Sequence, residues 1–548
     1  MRYLFIFALL FGSNLQAQQR FYFVSFKDKP NFKTQLYQPA TYISAKAIER
    51  RTRNRVPLNE NDIPPDSAYL RQLAAFPLTM YGNSRWFNGT VVLSAQKYIA
   101  DSIKLLPFVS AVTYLGPAFF YEEMDDASEN SLENQLNILE QSFQNKNEKN
   151  DTIMAGKSFA QIKQLNDEGL VKAGIGGKNV LIAVIDAGFK NADQLVPFRK
   201  LMKEKQILSS YDFVEKEEEV FDDDPHGTAV LSCMAAVQQG LILGTAPNAQ
   251  YILLRSENAA NEYLVEEYFW ALAAEYADSA GADIINSSLG YTKHDEKSMG
   301  HKFSELDGKT TLITRAAEIA ASKGILVVVS AGNEGDDPWR QISAPADAAH
   351  VLTVGAVDKF NSYAGFSSVG PTADKRNKPD LTALGKGVAL LAADGKVFEG
   401  NGTSYSCPLI AGAAAQLLEM APKSSAERMK EALILSGSQY YKVDKYTGAG
   451  IPDIELAAKM LCVQQDSLLD VRELQDQNLH LCLNARAPQK VILTIEEPIK
   501  GEIDRITLTL KKGSNRFVIK GYKKRPSGLY HLSVEFLSRK TYLDFMKL

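Results

Sequence analysis

The stretch that decides the fold is VLIAVIDAG, residues 180–188. Its first six residues are apolar without interruption, and they are followed by Asp186 and a glycine. A strand that is apolar on both faces must be covered on both faces, which is typical of parallel sheets flanked by helices. The stretch therefore predicts an α/β fold with Asp186 at the carboxyl end of a strand.

Apolar runs of the same kind recur at 251–254, 283–286, 325–329 and 351–354, and helix-like stretches at 264–280 and 311–323 lie between them. The alternation predicts one domain over residues 155–461, a parallel sheet with helices on both faces and right-handed crossovers. In such sheets ligands bind beyond the carboxyl ends of the strands. Functional residues are therefore expected at that edge.

Two residues with such positions are candidates for proton transfer. Asp186 ends a strand, where backbone N–H groups can hold its carboxylate, although most strand-end aspartates are turn or cap residues. His226 opens a helix-like run, and an imidazole fixed by a carboxylate is a general base, although a lone histidine at a helix start is more commonly structural. Gly227 allows another backbone segment to approach. The aspartates 222–224 raise the alternative of a cation site, but one tripeptide does not define a coordination shell.

Two further residues are candidates for a nucleophile and an oxyanion donor. Ser404 precedes a strongly helical run, so free N–H groups and the helix dipole favour negative charge on its hydroxyl. Pro408 fits this placement only if it lies in the first helical turn. Asn333 follows the strand 325–329 and can donate to an oxyanion together with the Ser404 N–H. The structural alternatives are a helix cap for Ser404 and a turn residue for Asn333.

The order Asp186, His226, Ser404, with Asn333 between the last two, resembles the subtilase family of serine endopeptidases over roughly residues 155–461. The resemblance implies a subtilisin-like fold in which Asp186 orients the base, His226 is the base, Ser404 is the nucleophile and Asn333 is the oxyanion donor. A further motif resembles the family's substrate-binding strand, to which an extended peptide adds as another strand. It consists of Ser287, Ser288, Leu289 and Gly290.

The sequence departs from the family pattern at three places. Ala229 stands where a second histidine is usual, Ala187 where serine or threonine is common, and Tyr405 begins a tripeptide where Met-Ala is frequent. None of these changes removes a reacting atom, but they leave substrate preference and pH optimum open. The implied chemistry requires no cofactor. Calcium sites are frequent in the family, and the sequence does not place one.

The N-terminal part indicates an exported precursor. Residues 1–17 have the charge, apolar run and small-residue end of a secretory signal peptide. Residues 18–120 have the β-α-β-β-α-β order of a ferredoxin-like fold, with an extra basic segment at 43–65. The resemblance implies a propeptide that chaperones folding and inhibits the enzyme, and the alternative is a permanent accessory domain. Residues 121–154 are predicted to be a polar linker, near which a propeptide would end.

Residues 462–548 alternate β segments, which predicts a small β-sandwich. Their last part resembles the sorting domain of type IX secretion cargo, without the usual Pro-Asn-Pro opening, and this implies a secretion machinery as a partner. Residues 511–548 contain ten Lys/Arg against two acids, but strand-spaced charges are typical of a solvated face, so no nucleic-acid partner is predicted. Cys233 and Cys407 are expected to be buried thiols. A bridge between Cys462 and Cys482 is left open.

Composition excludes several classes of protein. At 548 residues the chain is long enough for three to four domains of about 150 residues. A 45% hydrophobic and 23% charged composition is that of a globular protein. The net charge of −4 gives no basic field for nucleic acid. No apolar run reaches the ~18 residues of a transmembrane helix, and four cysteines do not make a disulfide scaffold.

The sequence therefore predicts a secreted serine endopeptidase that acts on proteins or peptides through an acyl-enzyme on Ser404. It is expected to be a self-processing zymogen, inhibited by its own propeptide. Two alternatives stay open. One is a catalytically dead surface protein that uses the fold for adhesion, against which the intact four-residue set argues. The other is a lipase or esterase, which the missing Gly-x-Ser-x-Gly motif disfavours.

Overall fold

A computed structural model describes residues 18–30, 38–118 and 155–462, together with the tail strands at 469–471, 479–485, 489–497, 501–510, 513–519, 528–536 and 539–547. These residues divide into two compact units. The first contains the described residues up to Gln38, those from Asn59 to 118, and Tyr263–Val265. The second contains Pro39–Leu58 and all the others. The predicted signal peptide, 1–17, and the predicted linker, 121–154, lie outside the described residues.

The N-terminal residues form a four-stranded antiparallel sheet in the order β2-β3-β1-β4. In chain order the elements here are β1 (Arg20–Phe26), α1 (Ala45–Asn54), α2 (Ser67–Leu73), β2 (Thr79–Ser84), β3 (Gly89–Ser94), α3 (Ile99–Lys104) and β4 (Val109–Pro117). The sheet order and the helices α2 and α3 agree with the predicted split βαβ connectivity. Tyr22, Val24 and Phe26 alternate onto one face of β1 and pack against the helices through Leu73 and Ile99.

Helix α1 folds with the second unit, which differs from the single domain predicted over residues 18–120. Ser44 caps the helix by accepting a hydrogen bond from the Ala47 N–H at 3.1 Å. The guanidinium of Arg50 is fully buried, pairs with Asp278, and donates to the carbonyl of Ala282 at 2.7 Å. Arg51 donates to both carboxylate oxygens of Asp278, at 2.9 Å each. Helix α1, the basic part of the extra segment, is therefore built into the second unit by buried charge pairs.

The second unit is organised around a seven-stranded parallel sheet in the order β13-β12-β11-β10-β5-β9-β6. Its strands and helices are α4 (Phe159–Gln164), α5 (Glu168–Lys172), β5 (Leu181–Asp186), α6 (Arg199–Lys203), β6 (Ile207–Asp212), α7 (His226–Ala235), β7 (Val237–Gln238), β8 (Ile242–Leu243), β9 (Gln250–Arg255), α8 (Leu264–Ala280), β10 (Ile284–Ser287), α9 (Leu312–Ser322), β11 (Leu326–Ser330), β12 (Leu352–Val357), β13 (Leu381–Leu384), β14 (Lys386–Leu391), β15 (Val397–Asn401), α10 (Thr403–Met420), α11 (Ala426–Leu435) and α12 (Ile454–Cys462). The predicted subtilisin-like α/β class is confirmed.

Buried strands explain which parts of the sheet were predictable. All six residues of β5 are buried, and β10, β11 and β12 are buried throughout. The two strands that the sequence did not predict lie at the sheet edges: β6 is half polar and mostly part-exposed, and β13 has only four residues. Helix α10 is apolar around almost its whole circumference, and it packs across β10–β13 and against α7. A helix of this kind is central to a core.

The tail contains β16 (Leu469–Val471), β17 (Leu479–Ala485), β18 (Gln489–Glu497), β19 (Gly501–Leu510), β20 (Gly513–Ile519), β21 (Gly528–Phe536) and β22 (Arg539–Lys547). They form two antiparallel sheets, β16-β17-β20 and β19-β18-β21-β22. The β-sandwich itself stays a prediction. Cys462 has a free thiol, and Cys233 and Cys407 are buried free thiols. Among the described helices, none combines the length and apolarity needed to cross a membrane.

Candidate active site

The predicted site residues follow adjacent strands of the sheet. Asp186 ends β5, Ser287 ends the neighbouring strand β10, and Asn333 follows β11. Because these strands are parallel, their carboxyl ends meet at one edge. His226 and Ser404 are at the first turns of α7 and α10, and the contacts of these two helices bring both residues to the same edge.

Asp186 and His226 form a close hydrogen-bonded pair. The Asp186 side chain is completely buried, and its Oδ1 lies 2.6 Å from Nδ1 of His226 and accepts the Ala187 N–H at 2.9 Å. The bond to Nδ1 leaves Nε2 of the imidazole to face a substrate. A Cβ atom on Gly227 would lie 2.3 Å from the carbonyl oxygen of Gly188. The glycine is therefore required for the start of α7 to approach the turn after β5, as the sequence indicated.

The aspartates beside His226 have partners within the protein. Asp224 Oδ1 accepts the His226 N–H at 2.8 Å, which caps the start of α7. Asp223 Oδ2 pairs with Nη1 of Arg255 at 2.8 Å, and the same guanidinium pairs with Asp212 at 2.6 Å. These contacts account for two of the three carboxylates and argue against a cation site in this tripeptide.

The electrostatic environment of His226 favours its protonated form. Burial lowers the pKa of His226, but the charge and hydrogen bond of Asp186, with the charges of Glu257 and Asp224, outweigh it and raise the pKa to about 9. Glu257 accepts a 2.5 Å hydrogen bond from the Tyr291 hydroxyl, and burial raises the pKa of Glu257 to about 8. Glu257 was not among the residues predicted from the sequence. Its position just beyond the predicted strand 251–254, at the same sheet edge, is the signal that could have found it.

Ser404 is the second residue of α10 and only 7% exposed. Its Oγ donates to the carbonyl of Ser288 at 3.2 Å, and the Ser288 Oγ donates to the carbonyl of Ser404 at 2.8 Å. The expectation that Pro408 lies in the first helical turn is wrong, because Pro408 is the sixth residue of α10. A proline there cannot donate to the carbonyl four residues earlier, which is that of Ser404. The Ser288 hydroxyl supplies the missing donor.

Asn333 is exposed, and Thr403 fixes its amide orientation. Asn333 Oδ1 accepts the Thr403 N–H at 2.9 Å and lies 3.1 Å from Thr403 Oγ1. Because Thr403 occupies Oδ1, the amide nitrogen Nδ2 is the group available to a ligand. The preceding Gly332 has a φ of 105°, a conformation that favours glycine. Thr403, which the sequence analysis did not single out, is thus a positioning residue for Asn333.

In the segment Ser287–Gly290 the side chains are buried, and the exposed residue is a glycine. Ser287 and Ser288 are buried, and Ser287 Oγ accepts a hydrogen bond from Trp270 Nε1 at 2.9 Å. Leu289 is 6% exposed, whereas Gly290 is exposed. The arrangement can present main-chain groups beside the Ser404 hydroxyl, which is what an added peptide strand would require.

The assembled groups suit acyl transfer. A carboxylate orients an imidazole, a hydroxyl lies at a helix N-terminus, and an amide donor is held beside that helix. Among the described residues, the one cluster with the atoms to hold a metal is Glu267, His294 and His301, and it includes none of the predicted site residues.

Two family profiles match the chain. The profile described as "Subtilase family" matches residues 177–450, and the one described as "Peptidase S8 propeptide domain, Bacteroidota" matches residues 21–135. The first match contains all four predicted catalytic positions, and the second contains the ferredoxin-like sheet except Arg20, together with α1.

Individual relatives match the same part of the chain. The chain is similar to Subtilisin NAT from Bacillus subtilis subsp. natto, with 30% identity over 302 residues, which is 54% of this chain and 70% of that protein. Subtilisin from Bacillus pumilus is 29% identical over 302 residues, covering 54% of this chain and 98% of that protein. Among solved structures, MycP1 from Mycobacterium smegmatis is similar at 23% identity and a TM-score of 0.43, covering 55% of this chain and 84% of that one.

Proposed function

The chain belongs to the subtilase family of serine-type endopeptidases, and we propose that Ser404 is its nucleophile, His226 its general base, Asp186 the orienting carboxylate and Asn333 the oxyanion donor. The observation that carries this proposal is the 2.6 Å contact between His226 Nδ1 and the buried Asp186 Oδ1. It holds the imidazole in one tautomer and orientation, so that Nε2 is the atom that accepts a proton.

The reaction follows from these positions. On substrate binding the Ser404 hydroxyl leaves the Ser288 carbonyl and attacks the scissile carbonyl carbon, while its proton passes to His226 Nε2. Asp186 stabilises the resulting imidazolium, and Asn333 Nδ2 with the Ser404 N–H stabilises the oxyanion. The imidazolium then protonates the departing amine as the peptide C–N bond breaks. Water, deprotonated by His226, hydrolyses the acyl-enzyme and releases Ser404. No cofactor takes part, and structural calcium has no assigned place.

The substrate is a protein or peptide in extended conformation. We assign its recognition to Ser287, Ser288, Leu289 and Gly290, and the support is the exposed backbone at Gly290 next to the Ser288 carbonyl that holds the Ser404 hydroxyl. A peptide strand that pairs with this segment would place its scissile carbonyl at Ser404.

The enzyme is proposed to be a self-processing zymogen. The propeptide-family match over residues 21–135 and the ferredoxin-like sheet support an N-terminal inhibitor and folding chaperone. We place its end within residues 121–154, because a polar segment of this composition is where proteases cut most readily.

Export is also proposed. Its support is the sequence pattern of residues 1–17 and the resemblance of the tail to type IX sorting domains. Comparing the N-terminal sequence of cell-associated and culture-medium protein tests it: loss of residues 1–17 from the medium form is expected, and an intact Met1 in that form contradicts it.

Site-directed variants test the catalytic assignment. Ser404→Ala is expected to lower kcat for a denatured protein substrate by about 10⁶-fold, whereas Ser322→Ala retains full activity because Ser322 is exposed and bonds only within α9. Circular dichroism and thermal unfolding confirm that both variants fold. A folded Ser404→Ala protein with undiminished activity contradicts the assignment.

A further inference from the structure

Two imidazoles and one carboxylate converge outside the proposed catalytic set. Glu267 lies in the first turns of α8, and His294 and His301 lie on the segment between β10 and α9. One nitrogen of each imidazole and one oxygen of the carboxylate lie within 4.8 Å of one another. The side chains of Glu267 and His294 are completely buried and that of His301 is 9% exposed. All three side chains of the cluster are therefore shielded from solvent.

The two oxygen–nitrogen distances are close to those around a small tetrahedral ion. Glu267 Oε1 lies 3.5 Å from His294 Nε2 and 2.6 Å from His301 Nε2. Zinc bonds of about 2.0–2.2 Å place neighbouring tetrahedral ligand atoms about 3.3 Å apart. The distance from Glu267 to His294 is already of that size, and the distance from Glu267 to His301 needs only a small increase. The two imidazole planes are at 89° with centroids 5.4 Å apart, and one nitrogen of each ring lies within 4.8 Å of the other and of a Glu267 oxygen.

His294 is the residue of this cluster whose surroundings indicate a bound ligand. Neither of its ring nitrogens has a hydrogen-bond partner within the described chain, although both atoms are inaccessible to solvent. Buried polar atoms in native proteins are almost always paired, and an ion is one of the recognised explanations for an exception. The ring is held in place by Tyr291, which stacks on it with centroids 6.1 Å apart at 12°. Its orientation is thus fixed while its nitrogens are left unused.

Neighbouring backbone groups hold the other ligands. Glu267 Oε2 accepts the Ile313 N–H at 3.1 Å, which leaves Oε1 to face the imidazoles. The His301 N–H donates to the carbonyl of Thr292 at 3.0 Å and closes the segment that carries both histidines. Outer contacts of this kind orient metal ligands in proteins.

We propose that Glu267, His294 and His301 bind one divalent transition-metal ion of the zinc class, with water as the fourth ligand. Imidazole nitrogen suits zinc, whereas calcium takes six to eight oxygen ligands, so this site is not a calcium site. The ion ties the segment 291–302 to α8. That segment directly follows Ser287–Gly290, so metal binding also stiffens the proposed substrate strand from its far end.

Metal titration of the purified full-length chain tests the site. After chelator treatment, Co²⁺ is added as a spectroscopic probe and Zn²⁺ as the competitor. We expect one equivalent of Co²⁺ with the absorption of a tetrahedral nitrogen–oxygen site, displaced by Zn²⁺ and not by Ca²⁺, and a rise in melting temperature with Zn²⁺. Absence of the absorption, or displacement by Ca²⁺, overturns the proposal.

Matched histidine variants locate the bound ion. His294→Ala is expected to weaken Co²⁺ binding by more than the roughly 10- to 100-fold that loss of an outer contact costs. His350→Ala is the control, because His350 is 76% exposed and forms a comparable contact with Glu318 without a second imidazole. Equal binding by both variants overturns the proposal. If His294→Ala does not fold, X-ray absorption of the Co²⁺-loaded unmodified chain must show two imidazole ligands, and fewer than two overturns it.

Discussion

At the scale of single residues, the candidate site depends on groups that hold the reacting ones. Asp186 fixes His226, Thr403 fixes Asn333, and Ser288 occupies the Ser404 carbonyl that Pro408 leaves without a donor. Each reacting side chain is consequently held in place before substrate arrives, which is the arrangement that stabilises a transition state without reorganisation.

Loss of the amide donor should affect turnover more than binding. Asn333→Ala is expected to lower kcat with little change in KM, because an oxyanion exists only in the transition state. The expected size is about 10²- to 10³-fold, the figure known for the corresponding loss in subtilisin, a relative of this chain. Steady-state kinetics on a peptide substrate measure it, with the surface variant Asn361→Ala as the control. A normal kcat for the Asn333→Ala enzyme would show that Asn333 takes no part in the mechanism.

Peptide hydrolysis should be faster at alkaline pH. Only the neutral imidazole of His226 can accept a proton, and the pKa of His226 is raised to about 9. We therefore expect kcat/KM to be low at pH values below 9 and to increase as the pH rises through 9. Glu257→Gln removes a negative charge that favours the imidazolium while keeping an acceptor for Tyr291. The variant should therefore shift the rising limb to lower pH. A pH–rate profile that does not move shows that Glu257 has no electrostatic role.

At the scale of elements, the position of α1 is the main departure from the domain boundaries predicted from the sequence. It belongs to the sequence of the propeptide match, but its Arg50 and Arg51 share the buried carboxylate of Asp278 at the end of α8. Arg53 and Lys46 add contacts to Asp283 at 2.7 and 3.4 Å. Removing this helix would leave Asp278 without its two guanidinium partners.

Breaking that charge cluster should destabilise the precursor. Asp278→Ala removes the carboxylate that two buried guanidinium groups share, and breaking a buried pair in this way costs about 3–5 kcal/mol of unfolding free energy. Asp394→Ala removes one side of an exposed pair with Lys396 and should cost only a small fraction of that. Urea unfolding of both variants, made in the Ser404→Ala chain to prevent self-digestion, provides the comparison. Equal midpoints would contradict a stabilising role for the α1 contact.

The elements also show why the sequence predicted one part of the structure and not another. Central strands such as β5 were predictable because burial on both faces produces continuous apolar runs, whereas the edge strands β6 and β13 carry no such pattern. The docking of α1 joins residues more than two hundred positions apart, and no local pattern encodes it. Likewise, Glu267 and His301 are 34 positions apart and meet only because the intervening segment folds back.

At the scale of the whole molecule, processing should depend on the proposed nucleophile. The Ser404→Ala chain is expected to keep residues 18–120 attached, because no competent serine is present to cut the linker. Adding a trace of active enzyme should then cleave the variant within residues 121–154. N-terminal sequencing and intact mass measure both results. Normal maturation of Ser404→Ala in a protease-free host would show that processing is not autocatalytic.

If Ser404, activated by His226 and Asp186, attacks peptide carbonyls, it should also react with a fluorophosphonate. The processed protein is treated with this reagent, and the label is located by mass spectrometry. We expect one label on Ser404, absent from Ser404→Ala and strongly reduced in a folded His226→Ala variant. A protein that hydrolyses peptides while Ser404 stays unlabelled would contradict this expectation.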